Sequence, residues 1–498
     1  MAQRPPDPIS RRLQSERGCR FAQGGPRVAM LYPSPYRVGM SSLGYQWILS
    51  TLNDAGFSAE RAFLPDDLDT HRGGIVTYET RTPLARFPVI GVSLAYELEL
   101  AGLIQALKLA GIAPLRRDRG PQDPRIILGG PITFSNPLPA APFVDAMILG
   151  EAEEQVVPAF SEAMSASREE WLNSMVDMPG GFVPERHGSH LPLVAKATDT
   201  MLPARGRILA PEAELRDMFL IEGERGCHRT CTFCVMRRST NGGMRLVSPE
   251  RILSFIPDEA KRVGLVGAAI SDHPKLVGLL KAIVDSGREV GVSSLRADRI
   301  ARKPEIARLL RAGGYKTLTV ASDAASQRLR RQISKGTLEK HLIECAKLAA
   351  EHRYKVLKVY MMVGVPDEQD EDIDELIRFT KELAAIHPVA LGVAPFVPKR
   401  NTPLDAVTFA GIKVVESRLK KLNAGLKRSR AVVRPTSARW AWVEYMMAQG
   451  GPEMGEAVLA AVEAGGRFAH WKRALNAVET TAMAPWRSAI PIIGQATV

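Results

Sequence analysis

The chain has 498 residues, 45% hydrophobic and 24% charged, with a formal net charge of +12. That length exceeds one ordinary core and sets an expectation of two or three domains, while the composition excludes a disordered or fibrous chain. No apolar run approaches the roughly 18 residues of a membrane span, and the N-terminus has no signal-type apolar core, so a cytoplasmic protein is expected.

Residues 1–25 read as an N-terminal tail that contains Cys19. From 26 to 165 short apolar runs alternate with helical patterns: strand 27–32, helix 45–55 stopping at Gly56, strand 89–94, helix 98–110 closed by Gly111, strand 125–128, and strand 146–149 ending at Gly150. This alternation predicts an α/β fold, a doubly wound, Rossmann-like parallel sheet covered on both faces. Its ligand crevice lies beyond the carboxyl ends of the strands, which here carry Ser and Gly. Residues 166–215, with Pro179, Gly180, Gly181 and Pro184, read as a linker.

A second βα series occupies 216–400, with strands at 218–222, 265–270, 289–295, 317–321 and 356–363. It predicts a full or partial TIM-type barrel, where chemistry gathers in the loops after the strands. Within it Cys345 shares an apolar helical face with Leu338, Leu342 and Ala349, the pattern of a buried thiol. Residues 401–498 read as a small, mainly helical and basic region: between Lys413 and Arg434 eight Lys and Arg face one acid, Glu416. A solvated helix face is the simple reading of that stretch, and a phosphate-bearing or nucleic-acid partner is the alternative.

Three of the five cysteines fall within eight positions, Cys227-x3-Cys231-x2-Cys234, in the loop after the first barrel strand. So few and so clustered, they do not form a disulfide framework. Three thiolates serve a structural zinc only with a fourth protein ligand, and the nearby candidate, His228, is adjacent to Cys227 and poorly placed to converge on the same ion. An iron-sulfur cluster, normally held by thiolates, is the other solution; one iron is then left open for a substrate or cofactor.

Cys227-x3-Cys231-Thr232-Phe233-Cys234 on that loop resembles the signature of the radical S-adenosylmethionine (radical SAM) superfamily. The resemblance implies that the three cysteines hold three irons of a four-iron, four-sulfur cluster, and that the fourth iron chelates S-adenosylmethionine. One electron then cleaves the sulfonium to a 5'-deoxyadenosyl radical. Phe233 is implied to pack near the adenine. Ser293-Ser294-Leu295-Arg296, Ala321-Ser322-Asp323 and Val363-Gly364-Val365-Pro366-Asp367-Glu368 are similar to later stretches of the superfamily. They imply S-adenosylmethionine contacts from Ser294, Arg296, Asp323 and Gly364. The glycine-glycine-glutamate turn expected after the second strand is absent; Ser271-Asp272 stands in its place, which makes Asp272 the candidate partner of the ammonium group.

The first domain resembles the cobalamin-binding domain that precedes the barrel in one radical SAM branch, through residues 32–44, 91–98, 129–131 and 150–154. Gly39, Ser41, Ser93, Leu94, Gly129, Gly130, Gly150 and Glu151 are the implied cobalamin residues. Asp69-Thr70-His71-Arg72-Gly73-Gly74 fits the D-x-H-x-x-G string of cobalt-ligating histidines, but it comes after the first helix rather than after the first strand, so a cobalt without a protein histidine is expected. A Rossmann-like module that binds no corrin is the alternative. The resemblance therefore implies a cobalamin-dependent radical SAM enzyme, plausibly a methyltransferase, supplied with electrons by a donor such as flavodoxin or ferredoxin. Radical rearrangement, cyclisation or oxidation without methyl transfer is the second reading, and an RNA-modifying or RNA-binding protein the third. Neither the substrate nor a catalytic side chain is evident.

Overall fold

The computed structural model describes residues 7–18, 21–236, 243–293, 295–405 and 407–478; Cys19 and Ser294 lie outside them. The described chain divides into two compact units, one formed mainly by residues up to Leu220 together with those from Met446 onward, the other mainly by Ile221–Tyr445.

The first unit is built on six strands: β1 (Arg27–Pro35), β2 (Ser58–Leu64), β3 (Val89–Ser93), β4 (Arg125–Gly129), β5 (Ala146–Ile148) and β6 (Gly181–Phe182), ordered β2-β1-β3-β4-β5-β6. All neighbours are parallel except β5 and β6. Alternate residues of β1 explain its position. Val28, Met30 and Tyr32 join a core with Leu49 and Leu52 of the helix Leu43–Asp54 and with Phe160 of the helix Val156–Ser165. Ala29 and Leu31 between them are also fully buried, as a parallel strand covered on both faces requires.

The expected linker is in part structured. Ser167 caps the helix Arg168–Asp177 in a reciprocal box with Glu170, and Trp171, Leu172 and Met175 drive its inner face into the core. Pro179-Gly180-Gly181 is then the tight turn into β6, where the carbonyl of Met175 leaves no room for a side chain at Gly181.

The end of the chain is divided too. The helix Pro452–Glu463 belongs to the first unit, packed on the turns Leu138–Phe143 and on the helix Glu99–Leu109. Asn136 donates to the carbonyls of Met447, Ala448 and Gly450, and Lys108 and Arg117 pair with Glu463 and Glu456.

The second unit takes seven parallel strands in chain order, β7 (Met218–Glu222), β10 (Arg262–Val266), β11 (Glu289–Val292), β12 (Thr317–Ala321), β13 (Val356–Val363), β14 (Val389–Pro395) and β15 (Ala431–Pro435). They form a three-stranded and a four-stranded sheet, joined through a parallel bridge between Arg296 and Ala321. An antiparallel hairpin, β8 (Glu224–Cys227) with β9 (Gly243–Leu246), interrupts the series. The array extends past residue 400: β15 pairs along β14, so part of the basic stretch is sheet. Of that stretch, Arg418 pairs with Glu368, Lys421 with Asp374, and Arg430 donates to the carbonyls of Ala384 and Ala385. Cys345 is fully buried, as its apolar face predicts.

Gly130 tests the carboxyl edge of the first sheet. Its φ of +105° is a glycine conformation, and a Cβ there would lie 2.6 Å from the Leu94 carbonyl oxygen, whereas at Gly129 the nearest atom would be 3.9 Å away. Gly130→Ala is expected to cost about 2 kcal/mol, read as a lowered urea midpoint, and Gly129→Ala to be tolerated.

Candidate active site

The loop after β8 carries Cys227, Cys231, Phe233 and Cys234, all partly exposed. Cys227 closes the hairpin opposite Gly243. The loop is fastened at two points. Its backbone docks on the turn after the helix Gln327–Gln332, Thr232 N–H donating to the Ile333 carbonyl at 3.1 Å. Its side chains fasten to Asp272.

Asp272 closes the short turn Ile270–Asp272 beyond β10, and its carboxylate is fully buried. Arg229 donates to both oxygens at 2.7 Å, Arg299 adds a third charged bond, and Arg296 lies 3.9 Å away. Burial alone would raise this carboxyl; the arginines outweigh it and hold its pKa at about 2. Both oxygens are thus committed to guanidinium groups. The expected role at the ammonium of S-adenosylmethionine does not suit this geometry, in which Asp272 positions the cysteine loop.

The other implied contacts lie at the same strand ends. Arg296 donates to Asp298 at 3.0 Å and to the Lys335 carbonyl, and its own N–H meets the Ser271 hydroxyl. Asp323, at φ +64°, pairs with Lys335. The positive charge of Lys335 also favours the thiolate of Cys234. Gly364, at φ +81°, gives its N–H to the buried Glu368. Ser294 lies outside the described residues.

The three thiols sense one another. Burial raises the pKa of Cys227 and Cys234, and neighbouring thiolates raise them further. Among the described residues no three His, Cys, Asp or Glu side chains converge on a single ion. The donor set fits a polynuclear cluster, in which each thiolate takes a separate iron, better than a closed zinc tetrahedron.

Glu224, three residues before Cys227, is a site residue that sequence reasoning missed. One carboxylate oxygen accepts the Ala269 N–H at 2.6 Å and fills the space a side chain at Gly267 would need; the other is buried without a hydrogen bond. Burial raises its pKa to about 7. The signal was the side-chain-free Gly267 after β10, which leaves a hole for a neighbour. Arg229, Arg299 and Lys335 were missed as well, because nothing local marks the partner of an arginine.

In the first unit the implied corrin residues divide. Ser93, Leu94, Gly129 and Gly130 sit together at the carboxyl ends of β3 and β4, where Leu94 N–H donates to Gly129. Gly39 packs against the ring of Phe63, and the Ser41 hydroxyl bridges the Arg37 carbonyl and the Leu215 N–H. Gly150 lies against Ala195, and the Glu151 carboxylate accepts the Ala197 N–H at 2.9 Å. The order β2-β1-β3-β4-β5 puts the switch in winding direction between β1 and β3, where a ligand crevice is expected. His71 follows the edge strand β2, not β1.

A cysteine-rich loop at the carboxyl ends of a parallel βα array, in a chain that also holds a doubly wound unit, defines a two-unit cluster enzyme. Residues 44–184 match the family model described as radical SAM proteins, N-terminal, and residues 221–380 the radical SAM superfamily model. The chain belongs to the radical SAM superfamily, whose members use a four-iron, four-sulfur cluster and S-adenosylmethionine. It is 28% identical over 79% of its length to an uncharacterised protein of Methanocaldococcus jannaschii, covering 83% of that protein. An uncharacterised methyltransferase of Pyrococcus horikoshii is 24% identical over 52% of this chain and 58% of its own. Among solved structures, the radical S-adenosylmethionine methyltransferase TsrM of Kitasatospora setae, with cobalamin and a four-iron, four-sulfur cluster bound, shares the fold. The TM-score is 0.52 at 14% identity, over 79% of this chain and 75% of that one. No helix among the described residues is long and apolar enough to cross a membrane.

Removing the anchor should loosen the loop. Asp272→Asn is expected to lose most of the iron that the wild type keeps after anaerobic reconstitution and gel filtration, as Cys231→Ala should. Glu224 gives a pH signature. Its folded pKa of about 7 stands above the ordinary 4.5, so its stabilising contribution is present below pH 4.5 and is lost as pH rises through 7. Glu224→Gln should therefore have a higher urea midpoint than wild type at pH 8 and lose that advantage at pH 5.

Proposed function

We propose that this radical SAM enzyme is cobalamin-dependent and transfers a methyl group to substrate. The observation that carries the reading is the cysteine loop held by Asp272 in a chain whose other unit is a doubly wound sheet with its winding switch between β1 and β3. The fold shared with TsrM and the methyltransferase name of the Pyrococcus relative support it.

When bound, the cluster supplies the electron that cleaves S-adenosylmethionine to a 5'-deoxyadenosyl radical, and the corrin supplies a methyl carrier. The chain's own residues bind and orient. Cys227, Cys231 and Cys234 hold the cluster and leave one iron to the cofactor. Phe233, partly exposed beside them, offers a ring to the adenine. Arg296, Asp323 and Gly364 shape the strand ends around S-adenosylmethionine, with Lys335 bridging Asp323 to the cysteine loop. Ser93, Leu94, Gly129 and Gly130, with Gly39, Ser41, Gly150 and Glu151, would hold the corrin. The loop after β1 contains no histidine, so that loop would offer a bound corrin no imidazole. An external electron donor completes the system.

Anaerobically reconstituted protein given hydroxocobalamin, a reductant and methyl-labelled S-adenosylmethionine should acquire the corrin absorption spectrum, form 5'-deoxyadenosine and produce labelled methylcobalamin. Deoxyadenosine without label on the corrin would overturn the methyl-transfer reading and leave a radical enzyme of another kind. Cys231→Ala should form no deoxyadenosine.

A further inference from the structure

The four strands β12 to β15 present two unlike faces. Leu357, Val359, Met361 and Val363 of β13 are buried on the side covered by the helices Glu339–Glu351 and Asp370–Ile386. The alternate residues face inward, away from those helices. In register across the strands, Tyr360 stands beside Gly392 and Gly392 beside Arg434, with Lys358 one position below Tyr360 on the same face.

This inner face is open and cationic. Tyr360 is 46% exposed. None of the inward positions of the four strands is acidic. Lys358 donates to the Tyr360 hydroxyl at 2.8 Å and lies over its ring, 4.5 Å from the centroid; among the described residues it has no carboxylate partner. Arg434 forms no side-chain hydrogen bond or ion pair among the described residues. It differs in this from Arg418, Lys421 and Arg430 of the same basic stretch, which are tied to the fold.

Gly392 makes the arrangement possible, because a Cβ there would lie 2.8 Å from the Tyr360 ring. The Tyr360 ring lies over Gly392 in that space, between two cations borne on strands two apart, about 10 Å between backbones. That is a span long side chains close around a small oxyanion. An ammonium accepts no hydrogen bond, so Lys358 is the donor to the phenol and the phenolic proton is left to point outward. Arg434 adds a planar fork suited to carboxylate or phosphate.

We propose that this face binds the substrate through an anionic group, a carboxylate or a phosphate, gripped by Lys358 and Arg434 and hydrogen-bonded by Tyr360. Tyr360 lies three residues, about 10 Å, below the carboxyl end of its strand. The anionic end of the substrate is thus anchored deep in the array, and its remainder extends toward the end that carries the cysteine loop. The assignment of the bound molecule as substrate rests on the function proposed above; the anion site itself does not.

The test is titration of the full-length reconstituted protein with inorganic phosphate and, separately, with succinate, followed by calorimetry and phosphorus NMR line width. Saturable binding of at least one anion is expected. It should weaken tenfold or more in Lys358→Met and in Arg434→Gln, persist in Lys358→Arg, and be unchanged in Arg428→Gln on the exposed basic helix end. The anion that binds more tightly identifies the group. No saturable binding of either anion, or equal affinity in wild type and both variants, overturns the proposal. Circular dichroism of each variant verifies the fold, and Lys358→Arg keeps the test decisive if Lys358→Met unfolds. Iron content and deoxyadenosine formation, measured on the same wild-type preparation, judge the radical function apart from the anion site.

Discussion

A buried carboxylate surrounded by guanidinium groups is the constraint on which the second unit's chemistry depends. Asp272 lies in a turn after β10 and Arg229 within the cysteine loop, so their bidentate contact fixes a long excursion of chain to the strand ends. Neither partner is tolerable alone in that position. A carboxylate without its arginines would be a buried unpaired charge, and the loop without its anchor would be a row of thiols free to scatter. Arg299 comes from the next helix but one, so the same interaction ties the turn to a third element. The position of the cysteine loop is therefore set by electrostatics between elements far apart in the chain.

The first unit reaches its site by a different route. There the carboxyl ends of the strands are shaped by the absence of side chains: Gly130 allows the β4 loop to lie against Leu94, and Gly150 allows Ala195 to run beside the end of β5. That carboxyl edge is framed by backbone brought close to backbone. The polar residues near it act mostly as braces. Glu151, for example, accepts the Ala197 N–H, and the Ser41 hydroxyl joins the Arg37 carbonyl to the Leu215 N–H.

Much of this was legible in the sequence, and the limits have physical causes. The strands β1, β3, β4 and β5 of the first sheet and β7, β11, β12 and β13 of the second unit stand as apolar runs, and the cysteine spacing marks its loop without help from tertiary structure, whereas β14 and β2, whose run Glu60 and Arg61 interrupt, went unread. The helix Arg168–Asp177 went unread because only three of its residues are buried and the Pro-Gly-Gly after it looks like a linker, although Ser167 and Glu170 announced a capped start. β15 went unread because an edge strand with the burial of Ala431–Pro435 lacks the continuous apolar run of its neighbours. The role of Asp272 was invisible in principle. A carboxylate in a loop after a strand looks the same whether it faces a ligand ammonium or an arginine forty-three residues earlier.

The return of Pro452–Glu463 to the first unit has a consequence for how the molecule comes into being. Asn136 and the turn around Pro139 meet their partners only when residues 447–455 have emerged from the ribosome. The part of the chain made first is the part finished last, and the barrel strands are complete before the sheet that precedes them is sealed. The two units are threaded through one another in sequence.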